Sequence, residues 1–317
     1  MTDSLFVTLS TFAEHDDGPL RLLQASGVDF TINDSGKRIT TEELVARAQS
    51  CTVVVAGVER YDAAVLSQLP SLRCISRCGV GVDAIDLEAA RARGIAVVNT
   101  PTVPAQAVAE LTLAMMLAVS RNLCAQANLM AGRQWRRLES HLIAGRTVGL
   151  IGLGRIGRRV VELLSPFGAT LVASDPSADP EWARQHGVEL LPLGELLRRS
   201  HIVSIHAAGA SASPLKLGAA ELGVMPRGAV LINVARGGMV DEAALLEALV
   251  SGHLSGAGLD VFANEPYDGP LCGLSNVVLT PHSATLPVET RVAMELECVR
   301  KALAFIGGTL LASERVI

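Results

Sequence analysis

Short apolar runs alternate along this chain with amphipathic stretches rich in Ala, Leu and Arg. Residues 52–56 (TVVVA) read as a strand, 63–69 as a helix and 72–76 as a strand; 87–93 then form a helix and 95–99 a strand. Gly94 stands where a helix needs a left-handed residue in order to stop. Strands without a polar face are covered on both sides, as in parallel sheets, and strand–helix–strand order repeated in this way predicts an α/β fold. Beyond Pro101 and Pro104 a long Ala/Leu/Met helix is predicted over about 105–120. A second series places strands at 147–151, 170–174, 202–206, 229–233, 256–260 and 277–280, and a last helix covers roughly 288–306. The pattern predicts two doubly wound parallel-sheet domains: residues 1–100, then 101–289, with 290–317 returning to the first.

Composition narrows the function classes. The 317 residues suit two domains, and 49% hydrophobic residues are enough to fill two cores, which excludes disorder as the dominant state. With 27 Lys+Arg against 32 Asp+Glu, the net charge of −5 argues against nucleic acid or an anionic membrane as the main partner. Small anionic ligands stay open, because a few local charges suffice to bind them. The first residues lack a basic n-region, and the longest apolar stretch, 111–119, is half of a membrane span, so a cytoplasmic protein is expected. Six cysteines (51, 74, 78, 124, 272 and 298) are too sparse for a disulfide framework, and no set of Cys and His has ligand spacing, so no metal is expected.

Two groups of residues carry chemistry. Residues 147–160 read TVGLIGLGRIGRRV, which puts Gly152, Gly154 and Gly157 between a buried strand and a helix. That spacing permits a tight turn, close approach of a pyrophosphate and close helix–strand packing, with the helix N-terminus facing the phosphates. Asp175 closes the next strand, 18 residues after Gly157, where an acid accepts both ribose hydroxyls of adenosine and repels a 2′-phosphate; NAD is therefore expected over NADP. Downstream, VLINVARGG delivers Arg236, GLDVFANEP delivers Asp260 and Glu265, and VVLTPHSA delivers His282, each just beyond a strand. Hydride transfer to or from a carbon bearing oxygen needs such a set. The His exchanges the proton, the Arg grips a carboxylate in bidentate fashion, and an acid orients the imidazole.

RCGVGVDAIDLEAARARGIAVVNTP, GLIGLGRIGRRV, LINVARGGMVDEAALLEAL, GAGLDVFANEP and NVVLTPHSA resemble the D-isomer-specific 2-hydroxyacid dehydrogenases, most closely their D-3-phosphoglycerate dehydrogenase branch, over roughly residues 50–305. The resemblance implies a Rossmann NAD-binding domain inserted in a discontinuous substrate-binding domain. It implies catalytic Arg236, Glu265 and His282. Cofactor contacts are implied at Gly152, Gly154, Arg155, Ile156, Gly157, Asp175, His206, Ala207, Val234, Ala235, Asp260 and Ser283. A turn at residues 77–81, with Arg77, Cys78, Gly79 and Val80, would offer backbone N–H groups to the substrate carboxylate, which Arg236 also binds.

The implied activity is NAD-dependent oxidation of a small anionic D-2-hydroxy acid or reduction of its 2-oxo acid. The acid could be phosphoglycerate, hydroxypyruvate or glyoxylate, or a phosphonate or sulfonate analogue. The alternative is an NAD(H)-sensing corepressor-type binding protein on the same fold, which an extension for partner binding would favour; none is expected here, nor is a C-terminal regulatory module. Some relatives place a basic residue for substrate phosphate where this chain has Ala56; Arg60 and Arg77 are the nearby substitutes. Finally, residues 103–120 hold one charge, Glu110, and an all-round apolar helix must be buried within a subunit or between two. A homodimer is expected, with Met115 in its interface.

Overall fold

The computed structural model describes residues 3–207 and 215–317. It divides into two compact units, one of Met1–Pro104 with Leu286–Ile317 and one of Ala105–Thr285.

The first unit is built on five parallel strands: β1 (Ser4–Val7), β2 (Asp29–Ile32), β3 (Val53–Ala56), β4 (Cys74–Arg77) and β5 (Ala96–Val98), in the order β2-β1-β3-β4-β5. Side chains alternate across the sheet. In β3, Val54 and Ala56 enter one core, and Val53 and Val55 the other. That second core is closed by the helix Val288–Ile306, whose Met294, Cys298, Val299 and Ala302 pack with Leu5 and Val7. Helix starts follow from local chemistry. Asp62 accepts from the Val65 N–H and Asp86 from the Ala89 N–H, both at 2.9 Å, which satisfies donors that a helix leaves unpaired. Gly94, at φ +67°, follows the helix Leu87–Ala92 in the left-handed conformation expected of it.

Seven parallel strands form the second unit: β6 (Thr147–Ile151), β7 (Thr170–Ser174), β8 (Val188–Leu190), β9 (Ile202–Ile205), β10 (Ala229–Asn233), β11 (Leu254–Leu259) and β12 (Val277–Leu279). Their order is β12-β11-β10-β9-β6-β7-β8, so the winding reverses between β6 and β9, where open α/β sheets bind ligands. Val230 and Ile232 of β10 face one core, Ala229 and Leu231 the other. The short edge strand β8 lies outside the strands predicted above.

The helix Pro104–Ser120 corrects one expectation. Met115 and Met116 are buried in the core of their own unit, and Gly258 must lack a side chain because a Cβ there would lie 3.0 Å from Met115 Cβ. The apolar surface lies further along the chain. The helix Leu123–Ala131 buries no side chain, and Leu123, Met130, Trp135 and Leu142 are all exposed, Trp135 to 80%. No single helix among the described residues is long and apolar enough to cross a membrane.

Candidate active site

At the reversal point each glycine of the loop has a distinct physical reason. Gly152 has φ +99°, and a Cβ on it would lie 2.6 Å from Ala207 N and 2.7 Å from His206 C. A Cβ on Gly157 would stand 2.2 Å from the Gly152 carbonyl oxygen, so this residue sets how closely the helix Arg155–Leu164 meets the strand. Gly154 instead faces open space, which leaves the helix N-terminus approachable. Arg155 is exposed and Ile156 half-buried, and the N–H groups of this first turn have no partner within the helix. Such a cradle fits a dinucleotide pyrophosphate.

Asp175 closes the cradle: its Oδ2 accepts from the Leu153 N–H and its Oδ1 from the Ser177 N–H, both at 2.7 Å. His206 ends β9 beside the loop, with Nε2 2.8 Å from the Ser204 hydroxyl and a buried Nδ1 that has no partner among the described residues. Burial pulls its imidazole down to about 3, so it is neutral at physiological pH. An orphaned ring nitrogen at this place suits a polar group of a bound cofactor.

The three loops bearing the expected catalytic residues are tied together by buried groups. Asn233 ends β10; its Oδ1 accepts from Ala235 N–H at 3.1 Å and its Nδ2 donates to the Arg236 carbonyl at 2.9 Å. Val234 turns its side chain into the core, so only its backbone is available to a ligand. The Arg236 guanidinium donates to the Ala235 carbonyl at 2.7 Å. Gly237 has no room for a side chain, because a Cβ would lie 1.8 Å from the Phe262 carbonyl carbon. This seats the arginine loop on the loop that carries Glu265.

Asp260 is fully buried and gathers the third loop. Its Oδ1 accepts from the Thr280 hydroxyl at 2.5 Å and the Ser283 N–H at 2.8 Å, and its Oδ2 from the Ala284 N–H at 3.0 Å. Its carbonyl takes the His282 N–H at 2.9 Å, which holds His282 at φ +51°, a conformation rare outside glycine. In that pose His282 Nδ1 lies 2.8 Å from Glu265 Oε2, while Glu265 Oε1 accepts from the Phe262 N–H at 3.0 Å. The His282 side chain is 55% exposed. The result is a histidine oriented by a carboxylate that is itself oriented by backbone. Asn233 and Thr280 were not singled out from the sequence; the only signal for them is a polar residue closing an apolar strand.

In the first unit, the turn after β4 is narrower in its chemistry than expected. The Cys78 N–H donates to the Ala56 carbonyl at 2.9 Å, and the Gly79 N–H to the Arg77 carbonyl at 3.0 Å. The Cys78 side chain is buried in the core under the last helix. Of residues 77–81, Val80 and Gly81 therefore keep N–H groups for an anion. The Arg77 guanidinium folds over Gly79 and donates to the Cys78 carbonyl.

Comparison with known proteins agrees with this architecture. Residues 113–284 match the model of the D-isomer specific 2-hydroxyacid dehydrogenase NAD binding domain. The chain is 41% identical over 267 residues to the D-3-phosphoglycerate dehydrogenase of Mycobacterium bovis, covering 82% of this chain and 51% of that protein. It thus spans about half the length of the phosphoglycerate dehydrogenases that it matches. To the glyoxylate reductase of Aeropyrum pernix it is 35% identical over 316 residues, 96% of this chain and 93% of that one. The solved structure of the TT0316 protein from Thermus thermophilus superposes with a TM-score of 0.90 at 35% identity, covering 99% of this chain and 100% of the other. Matched over more than half its length by the family model, and nearly end to end by a reductase, the chain belongs to the D-isomer specific 2-hydroxyacid dehydrogenase family.

Proposed function

We propose that this chain is an NAD-dependent oxidoreductase that interconverts a small anionic D-2-hydroxy acid and its 2-oxo acid in the cytoplasm. The observation that carries this reading is the His282–Glu265 pair, held by Asp260 on the sheet that bears the dinucleotide cradle. When bound, nicotinamide supplies or accepts the hydride at the substrate C2. Glu265 keeps the proton on Nδ1 of His282 and so directs Nε2 to the substrate oxygen, which it protonates in reduction and deprotonates in oxidation. Arg236 holds the planar carboxylate and carbonyl through its guanidinium fork. The test is loss of NADH absorbance with a panel of 2-oxo acids; a folded protein that binds NADH and reduces none of them would overturn the assignment.

Asp175 is proposed to set the choice of NAD over NADP, because its carboxylate sits at the loop where the adenosine ribose would lie. Asp175→Ser combined with Pro176→Arg should raise the NADP-to-NAD ratio of kcat/KM by about tenfold or more, through lost repulsion and a new phosphate partner. Part of the NAD activity should also fall, since Asp175 holds the Leu153 N–H. An unchanged ratio would mean that another group reads the ribose.

A homodimer is proposed through the exposed apolar surface of the helix Leu123–Ala131 with Trp135 and Leu142. Four large apolar side chains left exposed within residues 123–142 fit a self-complementary contact. Leu123→Asp should convert a dimer to a folded monomer in light scattering, whereas Met115→Glu should unfold the second unit. A wild-type monomer would rule the interface out.

A further inference from the structure

The core under the last helix of the first unit contains three free thiols, those of Cys74, Cys78 and Cys298. Cys78 follows β4 directly, and Cys298 lies in the helix Val288–Ile306. The Ser76 hydroxyl donates to the Cys298 carbonyl at 2.7 Å, which pins the end of β4 to that turn of the helix. Side chains alternate along a strand, so Cys78 projects to the same face as Ser76. There its thiol is hydrogen-bonded to that of Cys298. Two sulfurs from segments more than 200 positions apart thus meet in one core, and the hydride-transfer reading uses neither.

Two guanidiniums stand beside the pair. Arg77 donates to the Cys78 carbonyl. Arg291, two turns before Cys298 on the same helix face, is largely buried and lies 3.1 Å from Glu295. The hydrogen bond from Cys298, and then the charges of Arg291 and Arg77, hold the Cys78 thiol below its ordinary range, against burial and Glu295. Burial, and then the contact with Cys78, push Cys298 well above that range. Cys74 is the contrast in the same core: burial alone pushes it up to about 12. Cys78 is therefore the nucleophile of the three, since the thiolate is the reactive form. Two residues beyond it Val80 is exposed, so a molecule as small as hydrogen peroxide has a short way to reach it.

We infer that Cys78 and Cys298 are a redox-active dithiol, which a hydroperoxide oxidises to a disulfide that staples the last helix to the end of β4. With hydrogen peroxide, the Cys78 thiolate attacks one oxygen; the S–O bond forms, the O–O bond breaks, and the departing hydroxide takes the proton that the thiol gave up. Cys298 sulfur then attacks Cys78 sulfur. The S–S bond forms, the S–O bond breaks, and the Cys298 proton leaves with the hydroxide as a second water. Two thiols are oxidised and one peroxide is reduced to two waters. The bridge joins the two chain segments that make up the first unit, so oxidation steadies that unit against unfolding. The inference is independent of the oxidoreductase reading.

The experiment uses the full chain with Cys124→Ser and Cys272→Ser, which removes the two exposed thiols and leaves the core as it is. The reduced protein is treated with one equivalent of hydrogen peroxide, unfolded in N-ethylmaleimide and mapped by peptide mass spectrometry. The expected product has lost two hydrogens, carries the 78–298 bridge, retains Cys51 and Cys74 as alkylated thiols, and is restored by dithiothreitol. Its thermal midpoint should rise by about 5 °C or more over the reduced protein. In Cys298→Ala the rise should vanish, and dimedone should trap a sulfenic acid on Cys78. A bridge through Cys74, full alkylation of both Cys78 and Cys298 after peroxide, or an oxidised protein that melts with the reduced one would overturn the inference.

Discussion

Replacing His282 with alanine is expected to lower kcat by about 10²–10⁴-fold, the usual worth of a positioned general acid–base. NADH affinity, measured by titration calorimetry, should hold within about threefold, because the imidazole serves the substrate oxygen and not the cofactor. The fold should survive. What fixes residue 282 is its own N–H, bonded to the Asp260 and Thr280 carbonyls, and alanine keeps that N–H. Glu265 acts through the same imidazole at 2.8 Å, so the double variant His282→Ala/Glu265→Ala should be scarcely slower than His282→Ala alone. Losses that multiply would show that Glu265 has a separate task. Turnover near that of wild type in His282→Ala would remove the residue from the mechanism.

The second large effect is expected at Arg236. Arg236→Lys should cost about 10²–10³-fold in kcat/KM, nearly as much as Arg236→Ala, because an ammonium cannot reproduce a planar two-pronged donor. The structure sharpens this expectation. Asn233 fixes the backbone at 235 and 236, and Gly237 is pressed against Phe262, so the loop has little freedom to bring a shorter cation forward. Full activity in the lysine variant would dismiss the carboxylate clamp. Asn233→Ala offers a companion measurement: it leaves the guanidinium in place but loosens its base, and should raise KM more than it lowers kcat.

Local pattern carried much of the fold because parallel strands buried on both faces cannot tolerate polar residues and therefore stand out. TVVVA, TVGLI and AVLIN are strands in the structure within a residue or so of where the apolar runs place them. The reading left out three strands, the interior β1 and the edge strands β2 and β8. In β2 only alternate residues are shielded and β8 is three residues long, so neither makes a run distinguishable from a loop. It also misjudged Met115. An all-apolar helix announces burial but not which neighbour provides it; the answer depended on Gly258, more than 140 positions away, making room for that side chain.

Sequence alone determined the chemistry available to this protein: a glycine loop able to approach a phosphate, an acid after the next strand, and Arg236, Glu265 and His282 at strand ends. Those features are local, since each needs only a residue type at a short spacing from a turn. Tertiary structure decided which groups are free to act. The Glu265–His282 contact, the capture of residues 280–284 by Asp260 and the closure of the first sheet by the helix Val288–Ile306 all join distant segments. Glu59 is the clearest case. In the sequence it is one acid beside an arginine, of the kind usually solvated. Only the folding of β1 against β3 brings the Thr8 hydroxyl to its carboxylate and shields both from solvent.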